Sequence, residues 1–153
     1  MRIELQTYFK KRKANYLNGK VLIKNGEEIR EAEFIIDTGS TVTILNSDIA
    51  KRLNISVDKL EKEGAMGMSG GKHEVFLCRG IKFLFLTDNG RVKEEEISVR
   101  ILKPKGDLSN KDFANIPTIL GTDFLNEKEY ELFCSFSKGE AFLEKDSEFF
   151  TAA

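Results

Sequence analysis

Tryptophan is absent from this chain, and histidine, proline and cysteine are nearly so: the 153 residues hold one His, two Pro and two Cys. Each shortage excludes something. Cys78 and Cys134 are too few and too far apart for a disulfide framework, so both are expected as buried free thiols. The one histidine, His73, has no Cys pair near it, which argues against a zinc site, and neither a metal nor an organic cofactor is expected. No run approaches the ~18 apolar residues of a membrane span. The opening MRIELQTYFKKRK lacks the apolar core of a secretory signal, so the expected location is a reducing cytoplasm. Net charge is also scarce. The 24 basic and 25 acidic residues are interspersed and leave −1, a balance that gathers neither nucleic acid nor anionic lipid. The Lys10–Lys13 run (KKRK) reads as a solvated strand end.

What is present is a soluble, globular composition, 41% apolar and 32% charged, with no repeat of fixed period. The length suits one domain over residues 1–153, large enough to bury about two-thirds of its unfolded surface without staples. Strand patterns dominate. Residues 20–24 (KVLIK) alternate, Asn25-Gly26 follows, and Glu28–Ile36 alternates before turning wholly apolar. Asn-Gly between two such runs is a strong hairpin signal, because both turn residues need positive φ. A second apolar run covers 42–45, and Asn46-Ser47 caps a short helix to about Leu53. Residues 56–63 are charged and expected to be irregular. Residues 64–71 (GAMGMSGG) are dense in glycine and read as a mobile hairpin tip. Strands are expected at 75–78, 81–87 and 96–102, a loop at 103–115, and a short helix capped by Thr122 after ILG. Residues 130–136 and 140–143 pair through Ser137-Lys138-Gly139.

The sharpest feature is Phe34-Ile35-Ile36-Asp37-Thr38-Gly39-Ser40, where an apolar strand delivers a carboxylate into a glycine-containing loop. Asp and Gly are ordinary turn formers, and Asp37 could simply cap its own loop. A lone ionised carboxylate among apolar neighbours is costly, however, and needs hydrogen bonds, a partner or a shared proton. Two copies of the loop meeting across a two-fold axis would hold one proton between two carboxylates, an arrangement suited to peptide hydrolysis by activated water. One chain carries one such motif, so this chemistry demands a dimer.

In three places between residues 20 and 143, and in order, the chain resembles the retropepsin-like aspartic peptidases. The first is KVLIKNGEEIREAEFIIDTGSTVTIL; the second is GAMGMSGG, placed where that family has its substrate-covering flap; the third is PTILGTDFL. The resemblance implies a mainly β fold, a closed antiparallel β barrel with one or two short helices, acting as a homodimer on an extended polypeptide. It implies Asp37 as the catalytic acid/base and Thr38 bonding across the two-fold axis to the partner's loop. Gly39 would donate its N–H to the carboxylate, and Ile119, Leu120 and Gly121 would support the loop from behind. Met66, Gly67, Met68, Ser69, Gly70 and Gly71 would form the flap, with both methionines touching substrate or the partner flap unless they pack on their own hairpin. Asp123 matches a helix-start position and is expected only to cap that helix.

Ser40 stands where retroviral members of that family usually have Ala. A hydroxyl donated to ionised Asp37 would favour the charged form and place the activity optimum at roughly pH 4–5.5. Gly70-Gly71-Lys72 hints at a phosphate loop, but Met66 occupies its first glycine position and His73 replaces its Ser/Thr. Phe149-Phe150 suggests a last segment packed on the partner subunit. Two other classes fit the pattern less fully. One is a non-catalytic dimerisation or peptide-binding module of the same fold, which has no need of a carboxylate at position 37. The other is a small β barrel that binds a non-peptide ligand.

Overall fold

The hairpin expected at Asn25-Gly26 forms, but its two-residue turn is Gly26-Glu27, because Asn25 is the last paired residue of the incoming strand and does not take positive φ. Strands β2 (Leu17–Asn25) and β3 (Glu28–Ile36) pair antiparallel from Leu17↔Ile36 to Asn25↔Glu28. Gly26 takes φ 58° at the turn, a conformation cheap for glycine. The computed structural model describes residues 1–10, 13–68, 71–104 and 116–146. Part of the basic run (Lys11, Arg12), the hairpin tip Ser69-Gly70, most of the expected 103–115 loop, and Phe149-Phe150 lie outside the described residues.

The remaining elements are β1 (Arg2–Leu5), β4 (Ile44–Leu45), α1 (Ser47–Arg52), β5 (Glu61–Met68), β6 (Gly71–Leu86), β7 (Val92–Pro104), β8 (Thr118–Leu120), α2 (Thr122–Glu127), β9 (Glu131–Ser135) and β10 (Glu140–Glu144). Helix α1 starts where expected, with the Asn46 side chain accepting from Ile49 N–H at 3.0 Å. Several boundaries differ from the sequence reading. The expected strands at 75–78 and 81–87 are one strand, β6, whose register against β7 shifts between Cys78 and Ile81. The charged stretch 56–63 is not irregular throughout, since a 3₁₀ turn at Val57–Lys59 leads straight into β5. Thr122 does not cap α2; Gly121 holds the cap position without a side-chain bond, and Thr122 is the first helical residue.

One sheet has the order β2-β3-β8-β4-β7-β6-β5, and a further β2–β6 pairing closes six of its strands into a barrel with β5 outside the ring. This corrects the expectation of a purely antiparallel barrel. The barrel is mixed, because β3 pairs parallel with β8 and β4 parallel with β7. Parallel neighbours need long crossovers, so both pairings join segments far apart in sequence, where hairpin signals are silent. A smaller antiparallel sheet, β1-β10-β9, lies beside it.

Alternation sorts side chains between two apolar clusters. Phe34 and Ile36 of β3 enter the main one with Phe83, Phe85, Leu120 and Phe124, while Ile35 points the other way into a second with Ile44, Leu102 and Ile119. The small sheet is tied to the barrel at Glu95, a buried carboxylate that accepts from Tyr130 Oη and Lys145 Nζ, both at 3.2 Å. Burial, reinforced by the Glu95 charge and hydrogen bond, pushes the Tyr130 phenol far above its ordinary range. Cys78 is buried as expected, whereas Cys134 is exposed on β9. Among the described residues no helix is long and apolar enough to cross a membrane.

Candidate active site

Asp37 follows the last residue of β3, and its N–H donates to Leu120 O at 3.1 Å, extending the β3–β8 ladder by one rung. The carboxylate is therefore set by β8 and the end of β3, where the last three side chains of each are buried on both faces. The turn closes tightly behind it: Ser40 N–H donates to Asp37 O at 3.0 Å, and Gly39 N–H donates to Asp37 Oδ1 at 2.9 Å. A Cβ on Gly39 would lie 3.1 Å from that oxygen. Asp37 is partly exposed, and Thr38 and Gly39 are exposed, so this chain alone presents the loop's tip to solvent.

Ser40 does not act as its position suggested. Its hydroxyl donates to Val42 O at 2.7 Å, and a hydroxyl has one proton to give. In the single chain that proton stiffens the loop, so the reasoning that led to an acidic optimum loses its premise.

Behind the loop, the segment Ile119-Leu120-Gly121 passes so close that a side chain at Gly121 has nowhere to go. A Cβ there would sit 2.5 Å from Val42 O, 2.7 Å from Val42 C and 2.8 Å from Ser40 O. Thr122 N–H donates to Ser40 O at 2.8 Å, and the Thr122 hydroxyl to the same oxygen at 3.3 Å. The loop and the start of α2 are thus stitched backbone to backbone.

Two further residues complete the support, and local sequence reading missed the role of both. Asp123 does more than sit at a helix start. Its Oδ2 accepts from Thr43 N–H at 3.0 Å and its Oδ1 from the Thr43 hydroxyl at 2.8 Å. Thr43 is fully buried, and its hydroxyl oxygen also accepts from Gly121 N–H at 3.2 Å. A carboxylate on one segment therefore grips the strand leaving the Asp37 loop. The only hint in the sequence was a threonine between apolar neighbours, Val42 and Ile44, in a segment bound for the core.

The glycine-rich segment forms the paired arms of β5 and β6, in register from Met66↔His73 to Met68↔Gly71. Met66 packs against the second apolar cluster, which holds Val75 of the hairpin itself together with Ile35, Ile44 and Ile119. The hairpin arm and the strands flanking Asp37 share one apolar surface. Gly67, Met68 and Gly71 lie within the strands; Ser69 and Gly70 fall outside the described residues. Among the described residues no three His, Cys, Asp or Glu side chains gather as a metal-binding group.

Residues 20–127 match the family described as gag-polyprotein putative aspartyl protease. Among solved structures the chain is similar to a retropepsin-like aspartic protease from Rickettsia conorii, with 15% identity and a TM-score of 0.58 over 94% of this chain and 89% of that one. It is also similar to the retroviral protease-like domain of Ddi1 from Leishmania major, with 12% identity and a TM-score of 0.46 over 84% and 95% of the two chains. No curated protein matches it in sequence. At such identities the first likeness speaks for the fold, and the family match, which spans well over half of the chain, speaks for descent. Strand, Asp-Thr-Gly loop, glycine-rich hairpin and Ile-Leu-Gly brace thus stand in a retropepsin-like fold, and the chain belongs to the gag-polyprotein putative aspartyl protease family.

Proposed function

We propose that this chain is one half of an aspartic endopeptidase, a single peptidase domain whose active site forms when two copies bring their Asp37 loops together. The observation that carries the reading is the placement of Asp37. A carboxylate leaves a strand end buried on both faces, accepts an N–H from Gly39, and is fixed through Leu120 O and the glycine-tight crossing at Gly121. A binding module would have no need to hold a carboxylate so firmly at an exposed tip. In the dimer one Asp37 is ionised and takes a proton from a water molecule as its oxygen attacks the scissile carbonyl carbon. The other is protonated and gives its proton to the carbonyl oxygen. The resulting tetrahedral diol collapses as a proton passes to the departing amide nitrogen, and the pair returns to its starting charge. Thr38, exposed beside Asp37, would bond to the partner's loop. The β5–β6 hairpin would act as the flap, holding an extended peptide as an added strand over the apolar surface that Met66 now covers.

Two measurements test this. Sedimentation should give a homodimer of about twice the 17.4 kDa chain. Asp37→Asn should abolish peptide cleavage while leaving the fold and dimer intact, since the amide keeps the shape but cannot shuttle the proton. Cleavage retained by pure Asp37→Asn protein would remove the mechanism.

A further inference from the structure

The outer arm of the β5–β6 hairpin carries a break in its ladder. Register between β5 and β6 shifts between Lys62 and Gly64, which leaves Glu63 as the bulged residue, and Gly64 beside it sits at φ 132°. A bulge re-aims the side chain it releases. Here the released carboxylate meets Arg100 in a two-point fork, Nε to Oε2 at 3.1 Å and Nη2 to Oε1 at 3.5 Å. Arg100 belongs to β7, and β6 lies between β7 and β5, so the contact skips a strand. The neighbouring ion pairs of β5, Arg79–Glu61 and Lys62–Glu74, join it only to β6 and would move with the hairpin.

The other side of Arg100 faces the catalytic floor. Its Nη1 lies 3.9 Å from Asp123 Oδ2, the oxygen that accepts the Thr43 N–H, and its backbone N–H donates to Thr43 O at 2.8 Å. One guanidinium therefore touches both the hinge of the hairpin and the clasp that fixes the Asp37 loop. Arg100, Glu63 and Asp123 are all partly shielded, with side chains 23%, 32% and 17% exposed, so their attraction is less screened than that of a surface pair.

We propose that Arg100 is a positioning residue that couples the outer arm of the flap to the Asp37 floor, with the Glu63 bulge as the hinge it clamps. Its effect on turnover rests on the peptidase reading above; the coupling itself does not, and the first measurement needs no activity. Amide hydrogen exchange over residues 64–68 of the unliganded full chain should quicken by about three- to five-fold in Glu63→Gln and in Arg100→Gln. The double variant should be no faster than Arg100→Gln alone, because both remove the same contact. Arg100→Lys keeps the charge without the fork and should recover only part of the protection. In cleavage of a fixed peptide, Glu63→Gln should raise KM by a similar factor with kcat unchanged. Arg100→Gln should also lower kcat, because it touches Asp123. Unchanged exchange in both single variants, or effects that multiply in the double, would overturn the coupling. Should Asp37→Asn still cleave while the exchange pattern holds, the peptidase reading fails and the coupling stands.

Discussion

Replacing Gly121 by Ala adds a single methyl group, and the structure states what it meets. Its Cβ would lie 2.5 Å from Val42 O, 2.7 Å from Val42 C and 2.8 Å from Ser40 O, all backbone atoms that cannot swing aside. Unstrained contact needs about 3.5 Å, so the loop and the start of α2 must separate by roughly 0.7–1 Å. Thr122 N–H then loses its 2.8 Å bond to Ser40 O, and the displacement enters the loop three residues from Asp37. Overpacking of this kind costs about 1–3 kcal/mol, and each kcal/mol lowers the melting temperature of a chain this long by about 2–4 °C. A misplacement near 1 Å at reacting groups costs on the order of 100-fold in rate. Gly139→Ala supplies the control. That residue, in the β9–β10 turn, sits at φ 66° with nothing within 4 Å, so alanine there costs about 1–2 kcal/mol in backbone strain alone. The two variants should melt within a few degrees of each other, while only Gly121→Ala loses cleavage, by about two orders of magnitude. A folded Gly121→Ala protein that cleaves peptide within a few-fold of the unmodified chain would refute the claim that this crossing sets the position of Asp37.

Asp123→Asn should cost about 1.5–3 kcal/mol by urea unfolding, more than a surface helix cap, because two bonds from Thr43 lose a charged acceptor; a loss under about 0.5 kcal/mol would reduce Asp123 to an ordinary helix-start residue. Ser40→Ala should cost about 0.5–1.5 kcal/mol through the lost bond to Val42 O, and should leave the alkaline limb of the pH–rate profile in place. A limb that moves toward neutrality would show that the hydroxyl serves Asp37 in the working enzyme. Tyr130 has a phenol held neutral by burial and by Glu95, so its folded pKa lies above the unfolded value of ~10. The stability it contributes is complete below that pH and is lost as pH rises past it. Tyr130→Phe should therefore flatten the alkaline fall in stability seen in unfolding curves from about pH 9 to 11.

What was legible in the sequence followed from contacts that are local or periodic. The β2–β3 hairpin could be read because Gly26 marks the turn and alternation marks the strands, although the turn residues are Gly26-Glu27 and not Asn25-Gly26, and α1 because Asn46 caps it in place. Strand β5 was missed because Glu61, Lys62 and Glu63 show no apolar alternation; ladder bonds to β6 and ion pairs hold that arm. The start of β7 was missed for a similar reason, since Lys93, Glu94 and Glu95 hide the pairing of Val92 with Leu86. Asp37 and its Gly39 donor lie two residues apart and could be anticipated. The grip of Asp123 on Thr43 spans 80 residues, and no propensity or spacing rule reaches that far. Ser40 shows the opposite hazard, as the expectation placed its hydroxyl on Asp37 while the hydroxyl donates to Val42 O, two residues on.

Whether two chains share one site can be read from a mixture. Unmodified and Asp37→Asn chains, combined in equal amounts, unfolded and refolded together, assort at random into dimers. If each site needs both carboxylates, only about a quarter of the dimers are active, and cleavage per total chain falls to about a quarter of the unmixed enzyme's value. Activity of about one half, the simple dilution of independent sites, would contradict a site built from two Asp37 residues.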